Sequence, residues 1–235
     1  MITLVTYPAT FGQFSASPFC TKVALLLDQA GATWQREDQL DPRKMPFQKL
    51  PVIRVDGEII ADSDAIRAYL ESQGAAFEPG LSTLDKSTAR AFIRMAEEHI
   101  YFHVVMDRWG NDAQWPIIRD TYFSMIPRVL RGLVTSRIRK QLMLGLNAQG
   151  LGRFNESQRL DRIEPDLLAI AARVDQSPFL FGDQPTAADA SVGPMISAAI
   201  AMPGETLLSE RIRQDPVLMP YIRRIDALLP DTAGS

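Results

Sequence analysis

The stretch Lys49–Ser63, KLPVIRVDGEIIADS, decides how the first third of the chain is read. Val52-Ile53-Arg54-Val55 is mostly β-branched, the composition of a short strand. Asp56-Gly57 supplies a tight turn, because glycine reaches positive φ without steric cost. Glu58-Ile59-Ile60 returns as a second strand. Asp62-Ser63-Asp64 then opens a helix, whose apolar residues Ala65, Ile66, Tyr69 and Leu70 keep helical spacing. Pro51 stands at the mouth of the first strand, where a missing N–H does least harm to a ladder.

Upstream, residues 2–6 read as a strand and 9–16 as a loop. Ser17-Pro18 begins a helix: serine is a favoured N-cap, and proline is tolerated at the first helical position. Val23, Leu26, Leu27 and Ala30 give that helix an apolar face, and Gly31 stops it. Residues 33–38 predict another strand, and 41–48, with two prolines, an irregular segment. The order is β-α-β then β-β-α. Residues 74–84 have the composition of a linker. Beyond it the pattern is helical over 85–109, 113–124, 127–148 and 156–174. A turn follows at 178–183. A helix then starts at Thr186 with capping-box spacing to Asp189, and a last helix lies near 216–229.

The 235 residues suffice for one large or two modest domains. Hydrophobic residues make up 46% and charged residues 23%, the mix of a globular protein, and the net charge of −3 gives no basic bias toward nucleic acid. The lone Cys20 excludes an intramolecular disulfide, argues against a Cys-ligated metal, and points to a reducing, cytoplasmic setting. Met1–Thr6 lacks the basic start and cleavage site of a signal peptide, and no apolar run approaches the ~20 residues that span a bilayer.

A Leu-Pro ahead of a hairpin and an Asp-Ser helix start resembles the second half of a thioredoxin-like domain. In that fold the proline is cis, and the residue before it offers its N–H and C=O to a peptide-like ligand. With an all-helical segment after the linker, the chain resembles the glutathione transferase superfamily over nearly its whole length. Ser17-Pro18-Phe19-Cys20 after a long loop, Asp107-Arg108-Trp109, and the run PFLFGDQPTAAD at 178–189 resemble most the branch holding metaxins and the failed axon connections proteins. The resemblance implies an α/β thioredoxin-like glutathione-binding domain over 1–75 and an all-α substrate domain over 85–235. It implies an enzyme that activates the thiol of glutathione, its co-substrate, for attack on a small apolar electrophile. Isomerase or dehalogenase variants would use the same thiolate. A cytoplasmic, homodimeric detoxification enzyme is the expectation. The alternative is a non-catalytic, metaxin-like binding or scaffold protein of the same fold. No membrane anchor is expected, because the chain ends in the polar Asp231–Ser235.

Ser17 is the leading catalytic candidate. It stands at a helix N-terminus, where free N–H groups and the helix dipole stabilise an anion, and its hydroxyl can hydrogen-bond a thiolate. The plainer reading is that Ser17 only caps the helix. Tyr7 and Ser15 are rivals, with Tyr7 displaced from the sulfur by the long loop. Cys20 is either a reactive thiol or a small buried hydrophobe, and a peroxidase or thiol-transfer activity would need it exposed. The resemblance places Ser63 on the γ-glutamyl carboxylate, Asp62 near the ammonium, Leu50 ahead of Pro51 against the cysteinyl backbone, and Lys49 near the glycine carboxylate. Capping by Asp62 and Ser63 is the plain alternative, as is simple exposure of Lys49. Tyr101, Met106 and Trp109 would line the electrophile pocket or the core. His99 and His103 share a helix face, yet no further ligand near them completes a metal site. The segment from Arg128 to Arg153 is basic, with no acid between Asp120 and Glu156. It reads as a solvated face paired with neighbouring acids or as a surface for an anionic partner.

Overall fold

The computed structural model describes residues 1–230; the polar tail at 231–235 lies outside the described residues. The first part runs β1 (Ile2–Thr6), α1 (Pro18–Gln29), β2 (Trp34–Asp38), β3 (Val52–Val55), β4 (Glu58–Ala61) and α2 (Ser63–Ser72). The sheet order is β2-β1-β3-β4. The β1–β2 pair is parallel and therefore needs the α1 crossover, while β1–β3 and β3–β4 are antiparallel. The β3–β4 turn has φ 52° at Asp56 and 85° at Gly57, the two positive values that match hairpin twist. Leu4, Ile53, Leu26, Leu27 and Ile66 are fully buried between sheet and helices. The segment expected to be irregular instead makes two single 3₁₀ turns, Pro42–Lys44 and Pro46–Gln48. The first is capped by the Asp41 side chain accepting from the Arg43 N–H.

The helical part begins with α3 (Thr83–Met95). It continues through a wide i→i+5 turn at Ala96–Ile100, α4 (Tyr101–Val105), and a second wide turn at Met106–Gly110. The sequence periodicity predicts one regular helix here and carries no sign of the wide turns. Then come α5 (Trp115–Tyr122), α6 (Arg128–Gln149), α7 (Glu156–Val174), α8 (Ala187–Ile200), α9 (Leu207–Arg213) and α10 (Leu218–Asp226). Helix α9 is absent from the sequence reading. It is two turns long, and its signal was local: Thr206 and Ser209 form a capping box. The last helix starts at Leu218 because the Asp215 carboxylate accepts from the N–H groups of Val217 and Leu218.

Helix α8 is the centre of the packing. Its residues 187–199 are all buried, as expected of a helix apolar around its circumference. Helices α1, α3, α9 and α10 pack on it. Helix α10 comes so close that a Cβ on Gly193 would lie 2.6 Å from Ile225. Asp189, fully buried, accepts from the Thr186 N–H and hydroxyl at 2.8 Å, the Leu180 N–H at 2.9 Å and the Tyr221 hydroxyl at 3.0 Å. The capping box expected at Thr186 is thus formed, and it also joins α8 to the 178–183 turn and to α10.

No helix among the described residues is long and apolar enough to cross a membrane. Two arginines of the basic segment are spent inside the fold. Arg131 bonds the Ser124 and Ile126 carbonyls and pairs with Asp120; Arg139 bonds the Trp109 and Gly110 carbonyls and pairs with Asp112. Arg128, Arg137 and Lys140 are exposed. His99 Nδ1 lies 2.5 Å from Asp166, and His103 Nε2 lies 3.3 Å from His99. Burial, then the charges of His99, Arg159 and Arg162, depress His103 to about 3.

Asp107 makes a testable contribution to stability. Its Oδ2 is buried without a partner, and Oδ1 sits 3.6 Å from Arg159. Burial pushes its carboxyl up to about 6, against the pull of Thr206 and Arg159. The native state therefore holds this proton to higher pH than the unfolded chain does. The resulting stability is present below the unfolded pKa and is lost as pH rises through about 6. A rise of roughly two units corresponds to about 3 kcal/mol. Asp107→Asn should gain about that much relative to the wild type between about pH 4 and about pH 7 in denaturant titrations. A difference that does not change with pH would refute the assignment.

Candidate active site

The site forms where α1, the turn before β3, and the start of α2 meet. The loop at 8–16 leads into it and is tied down on several sides. Arg36 donates to the Phe14 carbonyl at 2.7 Å and the Tyr7 carbonyl at 3.2 Å, and its guanidinium lies 4.4 Å from the Phe14 ring centroid. The Ser197 hydroxyl bonds the Gln13 side chain, and the Phe11 ring lies 6.3 Å from that of Tyr122.

Ser17 occupies the N-cap position of α1, yet its hydroxyl makes no cap bond. The side-chain cap bond of the plainer reading is not made: Pro18 follows, and the hydroxyl stands at the helix N-terminus beside the Cys20 thiol. Ser15 is buried and structural. Its oxygen accepts from the Thr6 hydroxyl at 3.0 Å and the Ser17 N–H at 3.2 Å. Cys20 is fully buried with Val5, Leu50 and Val52, and burial raises its thiol pKa. The hydroxyls of Thr6, Ser15 and Ser17 offset that rise only in part. This is the inert arrangement, and it removes the exposed thiol that a peroxidase or thiol-transfer activity would need. Tyr7 packs beside Cys20 and Leu50. Burial, reinforced by Cys20, Tyr101 and Asp41, pushes its phenol well above the ordinary value, so it stays a neutral donor.

The Leu50-Pro51 peptide is cis. Leu50 is buried as a side chain, and Lys49 is exposed. Asp62 stands at φ 80°, ψ 132°, a region costly for a non-glycine residue and common at ligand sites. Its carboxylate caps α2, accepting from the N–H groups of Asp64 at 2.9 Å and Ala65 at 3.3 Å. The capping role expected as the alternative thus falls to Asp62 alone. Ser63 is the first helical residue, and its hydroxyl oxygen accepts from the ammonium of Lys22 at 3.1 Å. A cleft of about 370 Å³ between α2 and α3 is lined by Asp64, Arg67, Glu71, Glu78, Lys86 and Arg90. Arg67 pairs there with Glu71 and Glu78.

On the helical side, Tyr101 stacks edge-on against Phe19, with centroids 4.9 Å apart, two residues beyond Ser17. Trp109 joins Tyr122, Phe123 and Trp115 in an aromatic group that Phe11 caps from the loop. Met106 packs in the core with Leu146 and Leu151, the second of the two places the sequence allows it. Two site residues escaped the sequence reading. Lys22 lay inside a helix pattern with nothing to mark it as buried. Arg108 lies in the Asp107-Arg108-Trp109 run, where nothing local marks it as buried. Arg108 is 6% exposed, donates to the Ala16 carbonyl at 3.0 Å and the Ala198 carbonyl at 3.1 Å, and has no carboxylate in ion-pair range among the described residues. A buried cation without a counter-charge, tied to the residue before Ser17, adds positive potential where a thiolate would form.

Comparison with known proteins accords with this geometry. Residues 18–115 match the glutathione S-transferase N-terminal domain, and residues 153–224 match the glutathione S-transferase C-terminal domain. The chain is 31% identical over 239 aligned residues to the isoprene-epoxide glutathione S-transferase of Rhodococcus sp. (strain AD45), covering 96% of this chain and 98% of that protein. It is 26% identical to Failed axon connections of Drosophila melanogaster, covering 92% of this chain but 55% of that longer protein. Among solved structures, glutathione transferase GSTFuA3 from Phanerochaete chrysosporium superposes with a TM-score of 0.66 at 18% identity, over 99% of this chain and 98% of that one. With both halves matched and a full-length relative above 30% identity, the chain belongs to the glutathione S-transferase family.

Proposed function

We propose that this transferase joins glutathione to a small apolar epoxide, with Ser17 as the thiolate-stabilising residue. The observation that carries the reading is the Ser17 hydroxyl, which stands at the N-terminus of α1 and is not spent on capping it. A free thiol has a pKa of roughly 8.5. Hydrogen bonding from Ser17, the partial positive charge of the helix end and the nearby Arg108 all favour the thiolate. The thiolate sulfur attacks an epoxide carbon, the C–S bond forms as the C–O bond breaks, and the resulting alkoxide takes a proton from water. The epoxide class is suggested by the printed name of the Rhodococcus relative. Tyr101, Trp109 and Tyr122 supply aromatic surface suited to an apolar substrate.

Under the same proposal glutathione lies along Leu50-Pro51, its γ-glutamyl carboxylate meets Ser63, its ammonium faces Asp62, and Lys49 reaches its glycine carboxylate. The division into 1–75 and 85–235, a homodimer, and a cytoplasmic detoxification role complete the reading. A scaffold role without catalysis is the second reading, favoured by the Asp62 carboxylate being committed to the α2 cap.

Calorimetry with glutathione decides between the two. Binding in the micromolar-to-millimolar range, weakened at least tenfold by Ser63→Ala, is the expected result; no heat from the wild type at ~10 mM glutathione sinks the transferase reading. Ser17→Ala should lower kcat/KM with an epoxide about 100-fold, the usual effect of removing one charge-stabilising donor. It should also move the acidic, rising limb of the pH–rate profile, which follows thiol ionisation, to higher pH. A Ser17→Ala enzyme with an unchanged profile would exclude Ser17 from thiolate stabilisation.

A further inference from the structure

Lys22 is a lysine with almost no access to solvent: its side chain is 1% exposed. It projects from α1 to three oxygens and spends all three of its donors. These are Ser63 Oγ at 3.1 Å, Asp64 Oδ1 at 3.1 Å and Glu97 Oε1 at 2.6 Å. Burying an ammonium costs several kcal/mol before its partners repay it, and apolar groups commonly fill such a place at no loss of stability. The fold alone therefore gives little reason to keep a charge here.

We propose that Lys22 is a positioning residue that sets the Ser63 hydroxyl as a donor toward the γ-glutamyl carboxylate of glutathione. The inference rests on the function proposed above. A hydroxyl has one proton and two lone pairs. An ammonium can only donate, so the Ser63 oxygen must accept from Lys22, and the Ser63 proton must point to another acceptor. The neighbouring carboxylates are already engaged. Asp64 takes Lys22 on Oδ1 and Arg90 and Arg94 on Oδ2. Burial raises the Asp64 carboxyl, but Lys22 and Arg90 outweigh it and hold it well below the ordinary range. Glu97 Oε1 takes Lys22 and the Ser191 hydroxyl, and Glu97 Oε2 takes Arg94. The N–H of Ser63, in the first turn of α2, is one of the helix's free donors, and Asp62 caps those of Asp64 and Ala65 instead. Ser63 thus presents an N–H and an O–H together, a fork for one carboxylate. Its orientation is held from α1 and, through Glu97 and Ser191, from the helical half of the chain.

The test is calorimetry on wild type, Lys22→Met, Ser63→Ala and the double variant. Two ligands are titrated: glutathione, and γ-aminobutyryl-cysteinyl-glycine, which lacks only the γ-glutamyl carboxylate. Lys22→Met should weaken glutathione about tenfold, the effect of one hydrogen bond to a charged group. It should leave the affinity for the analogue unchanged, and the double variant should bind glutathione no more weakly than Ser63→Ala. Equal losses for both ligands, an unchanged glutathione affinity, or additive losses in the double variant would each overturn the proposal. Because Lys22→Met strands Glu97, Lys22→Met/Glu97→Gln is measured beside it and must show the same selectivity between ligands. Failure of the wild type to bind glutathione at all would instead overturn the proposed function.

Discussion

Asp189 is the constraint on which the rest depends. A carboxylate with no exposure is tolerable only when its lone pairs are filled, and four donors from three parts of the chain fill them. Burial raises its pKa, and those same hydrogen bonds favour the charged form. Satisfying this one group sets the first turn of α8 relative to the turn before it and to α10. Helix α8 has no polar face of its own, so everything that packs on it takes its position from that start.

The reach of α8 into the site is concrete. Near its N-terminus Ser191 holds Glu97, and Glu97 holds Lys22. Near its C-terminus the Ala198 carbonyl holds Arg108, and Arg108 holds the Ala16 carbonyl beside Ser17. Both tethers leave the long helix at its wide turns, where Glu97 and Arg108 are buried. Wide turns of this kind insert a residue into a helix and recur at functional sites. The site is therefore gripped at both ends, at the α2 start by a lysine and at the α1 start by an arginine. Each is a charge carried into the interior between the sheet half and the helical half.

These two cations differ in character. Lys22 is fully compensated by carboxylates, and what it contributes is direction. Arg108 is bonded to carbonyl oxygens and keeps its net charge, and what it contributes is potential. Removing either would also disturb packing. For that reason only a readout selective for a ligand carboxylate or for a thiol's ionisation separates function from folding at these positions.

The sequence by itself determined the succession of strands and helices in the first part of the chain, the α1 and α2 starts, and the capping box at Thr186, since turn chemistry, periodicity and cap spacing are local properties. It determined the family, because PFLFGDQPTAAD and the Leu-Pro hairpin lie in contiguous stretches. It also brought forward Ser17, Pro51, Asp62 and Ser63, each marked by a helix end or a strand mouth. Burial and partnership are not local, and only the tertiary structure decided them. Nothing local in the sequence marks Lys22, and only the closing of α2 and Glu97 over it makes it a buried cation. Ser17 reads equally as a thiolate-stabilising residue or a cap until its hydroxyl is found not to cap α1. Met106 reads as a pocket or a core residue until α6 covers it. Helical spacing fixes the face a side chain is on; the neighbours that fold against that face, from 41 residues away for Ser63 and 75 for Glu97, decide what the side chain does there.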